Sequence, residues 1–348
     1  MDRVRPLLPG VIACVLVALV SVLLADGLTA MLGRTVIEAI VLALVLGIAL
    51  RALPGRAALA PGATFVAKPV LELGVAFVGA SIDLTRLGGA GLVLAAIVLL
   101  GVAGGMAASL FIGLRLGLTR RSSLLVASGN SICGNSAIAA VGSVTGATRA
   151  EIASAIGLTA IAGLVMVIGL PLAVEFLAVD HVRAGVLTGM TVYAIPQVAA
   201  ASIPMGPVAA DTAMLVKLTR VVLLAPITIG TALLWPRVDP AEALGPDGLP
   251  AVRKRPPLRR LVPWFVVAFL VLALLRSLGV IPAAVGDQSR VAGNILLTIG
   301  MVGVGFGIDP QAVRAVGFKV GLATVLSLVA MIVLAVVLIA WLGVPPEA

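Results

Sequence analysis

The chain is built from long apolar runs separated by short, mostly basic connections, and that pattern leaves very few folds open. A run of about 20 apolar residues crosses the hydrocarbon core of a bilayer. Apolar segments of roughly that size recur eleven times, at 11–25, 36–50, 65–82, 90–114, 122–144, 152–177, 184–203, 210–234, 261–279, 291–308 and 320–342. Of the 348 residues, 61% are hydrophobic and 11% charged, whereas an ordinary soluble domain is about a quarter charged; the mean hydropathy is +1.22. Inside lipid every backbone N–H and C=O must be bonded within the protein, so only helices and closed barrels survive, and runs of this length are helical. The expected fold is an all-α polytopic membrane protein with ten to eleven transmembrane helices.

The net charge of +9 would suggest nucleic acid in a soluble chain, but aromatic residues make up only 3%, too few for base stacking. The basic residues instead mark topology. With a cytoplasmic N-terminus, 17 Lys and Arg fall in inside segments and 5 outside, with Lys217 and Arg220 within a span, and positive charge collects inside. The expected setting is a multi-pass protein of the cell inner membrane, N-terminus cytoplasmic and C-terminus outside, with the lipid bilayer as partner and no nucleic acid. Arg3 and Arg5 followed by 11–25 also have the shape of a secretory signal. Three regions are expected: 1–235, which carries the unusual segments described below; a basic loop at 236–260 containing Arg253, Lys254, Arg255, Arg259 and Arg260; and 261–348. That cluster reads as an inside anchor or as a contact for anionic lipid.

Two internal similarities stand out. At an offset of 226, Leu73 to Asp83 aligns with Ile299 to Asp309, with Gly74, Val78, Gly79, Ile82 and Asp83 matched identically. The two copies run in opposite directions across the membrane, the arrangement of inverted-repeat transporters. At an offset of 60, residues 151–164 match 211–224, with Leu158-Thr159 over Leu218-Thr219. Each is preceded by an interrupted apolar segment: Ser128-Gly129-Asn130-Ser131-Ile132-Cys133-Gly134-Asn135-Ser136, and Thr191-Val192-Tyr193-Ala194-Ile195-Pro196-Gln197.

Gly, Pro and polar residues at mid-membrane depth break a helix and free backbone groups that must face protein or a water-filled cavity. The freed N–H groups at Asn135 and Ser136 would open a half-helix whose positive end suits an anion, and Pro196 is placed to begin a second one. The expected substrate-binding set is Asn130, Ser131, Cys133, Gly134, Asn135, Ser136, Tyr193, Pro196 and Gln197, with Lys217 and Arg220 near the midplane as sources of positive potential. The two cations could instead bond helix C-terminal carbonyls. Neither interrupted segment carries Asp or Glu, which weighs against a cation as the principal substrate. Glu72 has Lys68 one turn before it as a partner, and Asp83 and Asp309 read as caps or turn residues. Cys133 has no histidine to activate it, since His181 falls in a loop, and no nucleotide-binding or hydrolase motif is present. No enzymatic activity, metal or cofactor is expected; a coupling ion, H+ or Na+, is left open.

The segments Ser131 to Ala140, Gln197 to Ala201 and Val216 to Pro226 resemble the YeiH family (UPF0324) of bacterial inner-membrane proteins, known as sulfate exporters, over nearly the whole chain. The resemblance implies kinship with bile-acid symporters and sodium/proton antiporters, with two inverted bundles and two discontinuous helices crossing at the centre. It also implies export of sulfate or sulfite. Where the family has His-Asp this sequence has Tyr193-Ala194, which removes two titratable groups and puts proton coupling through them in question. One conflict arises: as the fifth and seventh straight spans, the two interrupted segments would run in the same direction, whereas inverted repeats require them to oppose.

The leading expectation is a secondary transporter exporting a small sulfur oxyanion by alternating access. The alternatives are a sodium- or proton-coupled organic-anion symporter of the same fold and a non-transporting membrane partner protein. Gly-rich faces would also suit a homodimer.

Overall fold

A computed structural model describes residues 6–32, 38–52, 56–83, 90–238, 264–308 and 318–344. The basic cluster at 253–260 and Asp309 lie outside the described residues. All regular structure among these is helical: α1 (Leu8–Leu32), α2 (Ala39–Arg51), α3 (Arg56–Phe65) leading through one π turn at Val66–Val70 into α4 (Leu71–Gly79), α5 (Ala90–Arg115), α6 (Arg120–Ser131), α7 (Asn135–Thr145), α8 (Arg149–Phe176), α9 (His181–Thr191), α10 (Ile195–Ser202), α11 (Pro207–Val222), α12 (Leu224–Val238), α13 (Trp264–Ser277), α14 (Ala283–Gly307) and α15 (Phe318–Leu342). Among the described residues, seven stretches are long and apolar enough to cross a bilayer, and α2 and α13 are shorter apolar helices. The chain is a multi-pass membrane protein.

The helices sort into two bundles. A scaffold holds α1 to α4 with α13 and α14; a core holds α5 to α12 with α15. Scaffold packing is written in glycine. A Cβ on Gly47 would meet the Val302 carbonyl oxygen at 2.3 Å and one on Gly305 the Leu44 oxygen at 2.2 Å, so α2 and α14 touch backbone to backbone. Gly300 lies against Leu71, and Gly74 and Gly293 against each other's helices. As residue numbers rise along α4 they fall along α14, so the two segments matched at an offset of 226 lie antiparallel.

Both interrupted segments fold back on themselves. Gly129 of α6 packs on Ile138 of α7, and Glu151 at the start of α8 lies 3.7 Å from Arg121 at the start of α6. The α6–α7 pair is therefore a hairpin whose open end sits at one face. The α9–α10 pair does the same from the other end: His181, the first residue of α9, places Nδ1 2.6 Å from the carbonyl oxygen of Met205, just beyond α10. Between the two hairpins runs α8, 28 residues long and thus about 42 Å, which carries the chain from one face to the other. The conflict of directions is resolved: the segments enter from opposite faces. The connections at 146–148 and 177–180 exchange sides relative to a straight-through reading. His181 therefore lies at the face opposite to 116–119. Arg149 and Arg183 trade places.

Candidate functional site

Each hairpin arm is about 8 to 12 residues long, or roughly 12–18 Å, enough to reach the middle of a 30 Å core. The two tips meet there. A Cβ on Gly134 would lie 3.4 Å from Cβ of Tyr193. Gly134 has φ +68° and ψ −117°, a conformation that L side chains rarely adopt, so the sharp turn from α6 into α7 requires glycine. In the second hairpin the break spans Val192 to Ala194, and Pro196 stands in the first turn of α10, where its missing N–H costs nothing.

Every helix that ends in mid-membrane leaves unbonded carbonyls, and Lys217 and Arg220 of α11 supply their partners. Lys217 Nζ donates to the carbonyls of Ile132 and Val192, both at 2.8 Å. Arg220 donates from Nε to Ser131 (3.0 Å), from Nη2 to Asn130 (2.8 Å), and from Nη1 to Gly189 (2.7 Å) and to Met190. Both side chains are fully buried. One lysine and one guanidinium fork thus join the C-terminal ends of α6 and α9, where backbone dipoles favour cations. The structure places these two residues behind the tips, bonded to backbone carbonyls.

The opposite side of the tips presents the N-termini of α7 and α10 to a cavity of about 620 Å³ between core and scaffold. Asn135, Thr159, Tyr193, Ala194 and Gln197 line it from the core, and Thr64, Gly303 and Phe306 from the scaffold. Asn135 and its neighbour Ser136 are exposed, whereas Asn130, Ser131, Cys133 and Gly134 are buried behind the tip. The Tyr193 side chain is 1% exposed and its hydroxyl has no hydrogen-bond partner. Gln197 is held as a brace: Oε1 accepts from the Ala194 N–H at 3.1 Å, and Nε2 donates to Ala160 of α8 at 3.2 Å. Asn130 Nδ2 donates to Ser109 Oγ and to the Ser327 carbonyl, both at 3.0 Å, which ties α6 to α5 and α15.

Of the residues expected from sequence, Asn135, Tyr193 and Gln197 come together on the cavity, Ser136 adjoins Asn135, and Asn130, Ser131, Cys133, Pro196, Lys217 and Arg220 form the frame behind it. Thr159, whose hydroxyl lies 3.4 Å from Asn135 Oδ1, was not anticipated as a site residue, although it belongs to the Leu158-Thr159 match. Thr64, Ser109 and Ser327 carried no signal beyond being isolated hydroxyls in apolar runs. Glu72 accepts from the indole Nε1 of Trp264 at 2.7 Å within the scaffold, and Asp83 follows the end of α4; neither touches the cavity. No group of three or more His, Cys, Asp or Glu among the described residues is placed to hold a metal ion.

The chain is similar to known proteins over nearly its whole length. The family model described as Conserved hypothetical protein 698 matches residues 9–324. A UPF0324 membrane protein of Bradyrhizobium diazoefficiens is 39% identical over 341 residues, covering 98% of this chain and 94% of the relative. Similar proteins of the same description from Agrobacterium fabrum and Corynebacterium glutamicum are 37% and 32% identical, covering 93% and 89% of this chain and 90% and 86% of theirs. The chain belongs to the UPF0324 family of membrane proteins.

Proposed function

We propose that the protein is a secondary transporter of the bacterial inner membrane, with a cytoplasmic N-terminus, that exports a small anion such as sulfate or sulfite by alternating access. One observation carries this reading. Two half-helices begin side by side in mid-membrane at a shared cavity, with Asn135 and Ser136 at the positive end of α7 exposed, and no carboxylate among the described residues lines that cavity. Free N–H groups at helix N-termini bind anions. The core units α6–α8 and α9–α11 would be the inverted pair, each a hairpin followed by a spanning helix. Movement of the core past the scaffold would expose the tips to each face in turn.

The test is flux of radiolabelled sulfite and sulfate in proteoliposomes, with and without sodium and pH gradients, for the parent and Asn135→Ala. Asn135 is exposed, so its loss leaves folding intact; saturable flux reduced at least tenfold in the variant is the expected result. Equal flux in both would remove the α7 N-terminus from the site. A second reading, a larger organic anion, is favoured by the cavity itself: 620 Å³ with Ile152, Ile156, Val304, Phe306 and Ile308 on its wall exceeds what a four-oxygen anion fills and falls in the range of sites for larger organic ligands. Competition for sulfate flux by a sulfonate with an apolar body separates the two.

A further inference from the structure

We infer that the structure is one of two positions of the core on the scaffold, held by the Arg290–Asp211 ion pair at one end of their seam, and that the other position closes the opposite end by bringing the start of α8 onto α3 at Thr64. This rests on the transport reading above and adds to it the contacts that open and close each side.

The seam follows α14, and its two ends differ. Toward the N-terminus of α14, Arg290 and Asn294 of the scaffold face Ser202 and Asp211 of the core across a space of about 120 Å³. There Arg290 Nη2 donates to Asp211 Oδ2 at 2.7 Å, joining α14 to α11, and α10 packs on α2 and α14. Toward the C-terminus of α14, Gly303 and Phe306 face Ile152 and Ile156 of α8 across the cavity of about 620 Å³. The tips lie between the two, since α10 lines the large space from its start, at Gln197, and the small one from its end, at Ser202. Under the proposed topology the open end faces the cytoplasm.

The internal similarities name the contact that would close the open end. The offset of 60 carries Asp211 of α11 onto Glu151 of α8, and the offset of 226, extended from Leu73 back to Thr64, carries Arg290 of α14 onto Thr64 of α3. Ile152, next to Glu151, and Thr64 stand on the wall of the open cavity, the first from the core and the second from the scaffold. The two pairs are thus mates: one is in contact, and the other is parted by the cavity. Packed interfaces switch between discrete arrangements instead of deforming continuously, so one step of the core past the scaffold breaks the first contact and makes the second. An ion pair joins one end, whereas Thr64 brings a hydroxyl and no charge to the other, so the position seen here is the favoured one. Both partners of the ion pair are 27% exposed. A partly exposed pair shifts a two-state balance by up to about fivefold, which biases the core without locking it.

The test places one thiol on each wall, as Thr64→Cys with Ile152→Cys, in proteoliposomes oxidised with copper phenanthroline. A disulfide needs Cα atoms within roughly 7 Å, so its rate of formation counts the position in which this end is closed. It is read as protection from a maleimide polymer after denaturation, with each single variant controlling for the buried Cys14 and Cys133. The rate should rise about twofold to fivefold on adding Arg290→Gln and stay near the parent's with Arg290→Lys, which keeps a cation opposite Asp211. Disulfide-bonded protein should lose sulfate flux and regain it on reduction. Equal rates with and without Arg290→Gln, in vesicles whose sulfate flux is intact, overturn this inference and leave transport standing. Equal rates together with no flux of any anion, in folded protein, overturn the transport reading as well.

Discussion

Gly163 of α8 gives the most direct test of how the second hairpin is held. A Cβ at this position would lie 2.0 Å from Oε1 of Gln197 and 2.5 Å from Nε2, so Gly163→Ala expels the brace rather than merely crowding it. Two neutral hydrogen bonds are then lost, to the Ala194 N–H and from Nε2 to Ala160. They are worth about 1 kcal/mol each, and stranding a buried N–H adds roughly 1–3 kcal/mol. Alanine returns about 1 kcal/mol through its helix propensity. The net loss is roughly 2–4 kcal/mol. Gly169 of the same helix has nothing within 4 Å of its notional Cβ, so Gly169→Ala should stabilise by up to about 1 kcal/mol. Denaturant titration in mild detergent measures both. Because Gln197→Ala already removes the same bonds, adding Gly163→Ala to it should cost nothing further. Equal responses at the two glycines, or additive costs in the double variant, would refute the reasoning.

Arg220→Gln strips most donors from the C-terminal carbonyls of α6 and α9 and should destabilise by about 3–5 kcal/mol, the range for breaking a buried charged network, with Arg220→Lys rescuing only part because a single ammonium cannot replace the fork; unfolding midpoints read both. Thr148 caps α8, its hydroxyl oxygen accepting from the Glu151 N–H at 3.2 Å, and Thr148→Ala should cost about 1 kcal/mol in the same titration. Partial burial pushes the Glu151 carboxyl up, but the Thr148 N–H and hydroxyl, Arg121 and Ser122 outweigh it and hold the group below its ordinary 4.5. Its stabilisation is therefore complete above that pH and lost as pH falls through the lowered folded value; Glu151→Gln should flatten the stability profile in that acid window and leave its shape at neutral pH unchanged. Arg290 of the scaffold donates to Asp211 of the core at 2.7 Å, and because both are partly exposed, Arg290→Gln should change stability by no more than about 1 kcal/mol while raising the reactivity of a cysteine placed at Ser202 toward a membrane-impermeant thiol reagent.

Sequence reading located the interruptions because Gly134 and Pro196 are chemically loud: a glycine among polar residues and a proline ahead of Gln197, both inside apolar runs. It identified the half-helix starts at Asn135 and Pro196 for the same reason. The return of each chain segment was not legible. Apolar length alone does not separate a hairpin with two arms of 8 to 12 residues each from a straight helix of the same total length, and the contacts that decide it, Gly129 with Ile138 and His181 with Met205, are tertiary. Lys217 and Arg220 could be assigned a depth from α11 but not an aim, since a long basic side chain reaches a ligand or a carbonyl equally well. Thr159 was hidden by being an ordinary threonine in an apolar helix. Residues 151–164 and 211–224, coupled at an offset of 60, fall in α8 and α11, the helices that follow the two hairpins.

The glycine contacts along α14 bear on how the molecule deforms. Ordinary helix interfaces absorb a small shear by letting side chains hop between rotamers, but Gly47, Gly303 and Gly305 have nothing to rotate, and the facing atoms are main chain. A sliding of α14 against α2 or α3 by even one ångström would drive peptide groups into each other. The scaffold should therefore respond to lateral pressure from the lipid as one stiff plate, passing bilayer tension to its border with the core instead of dissipating it internally.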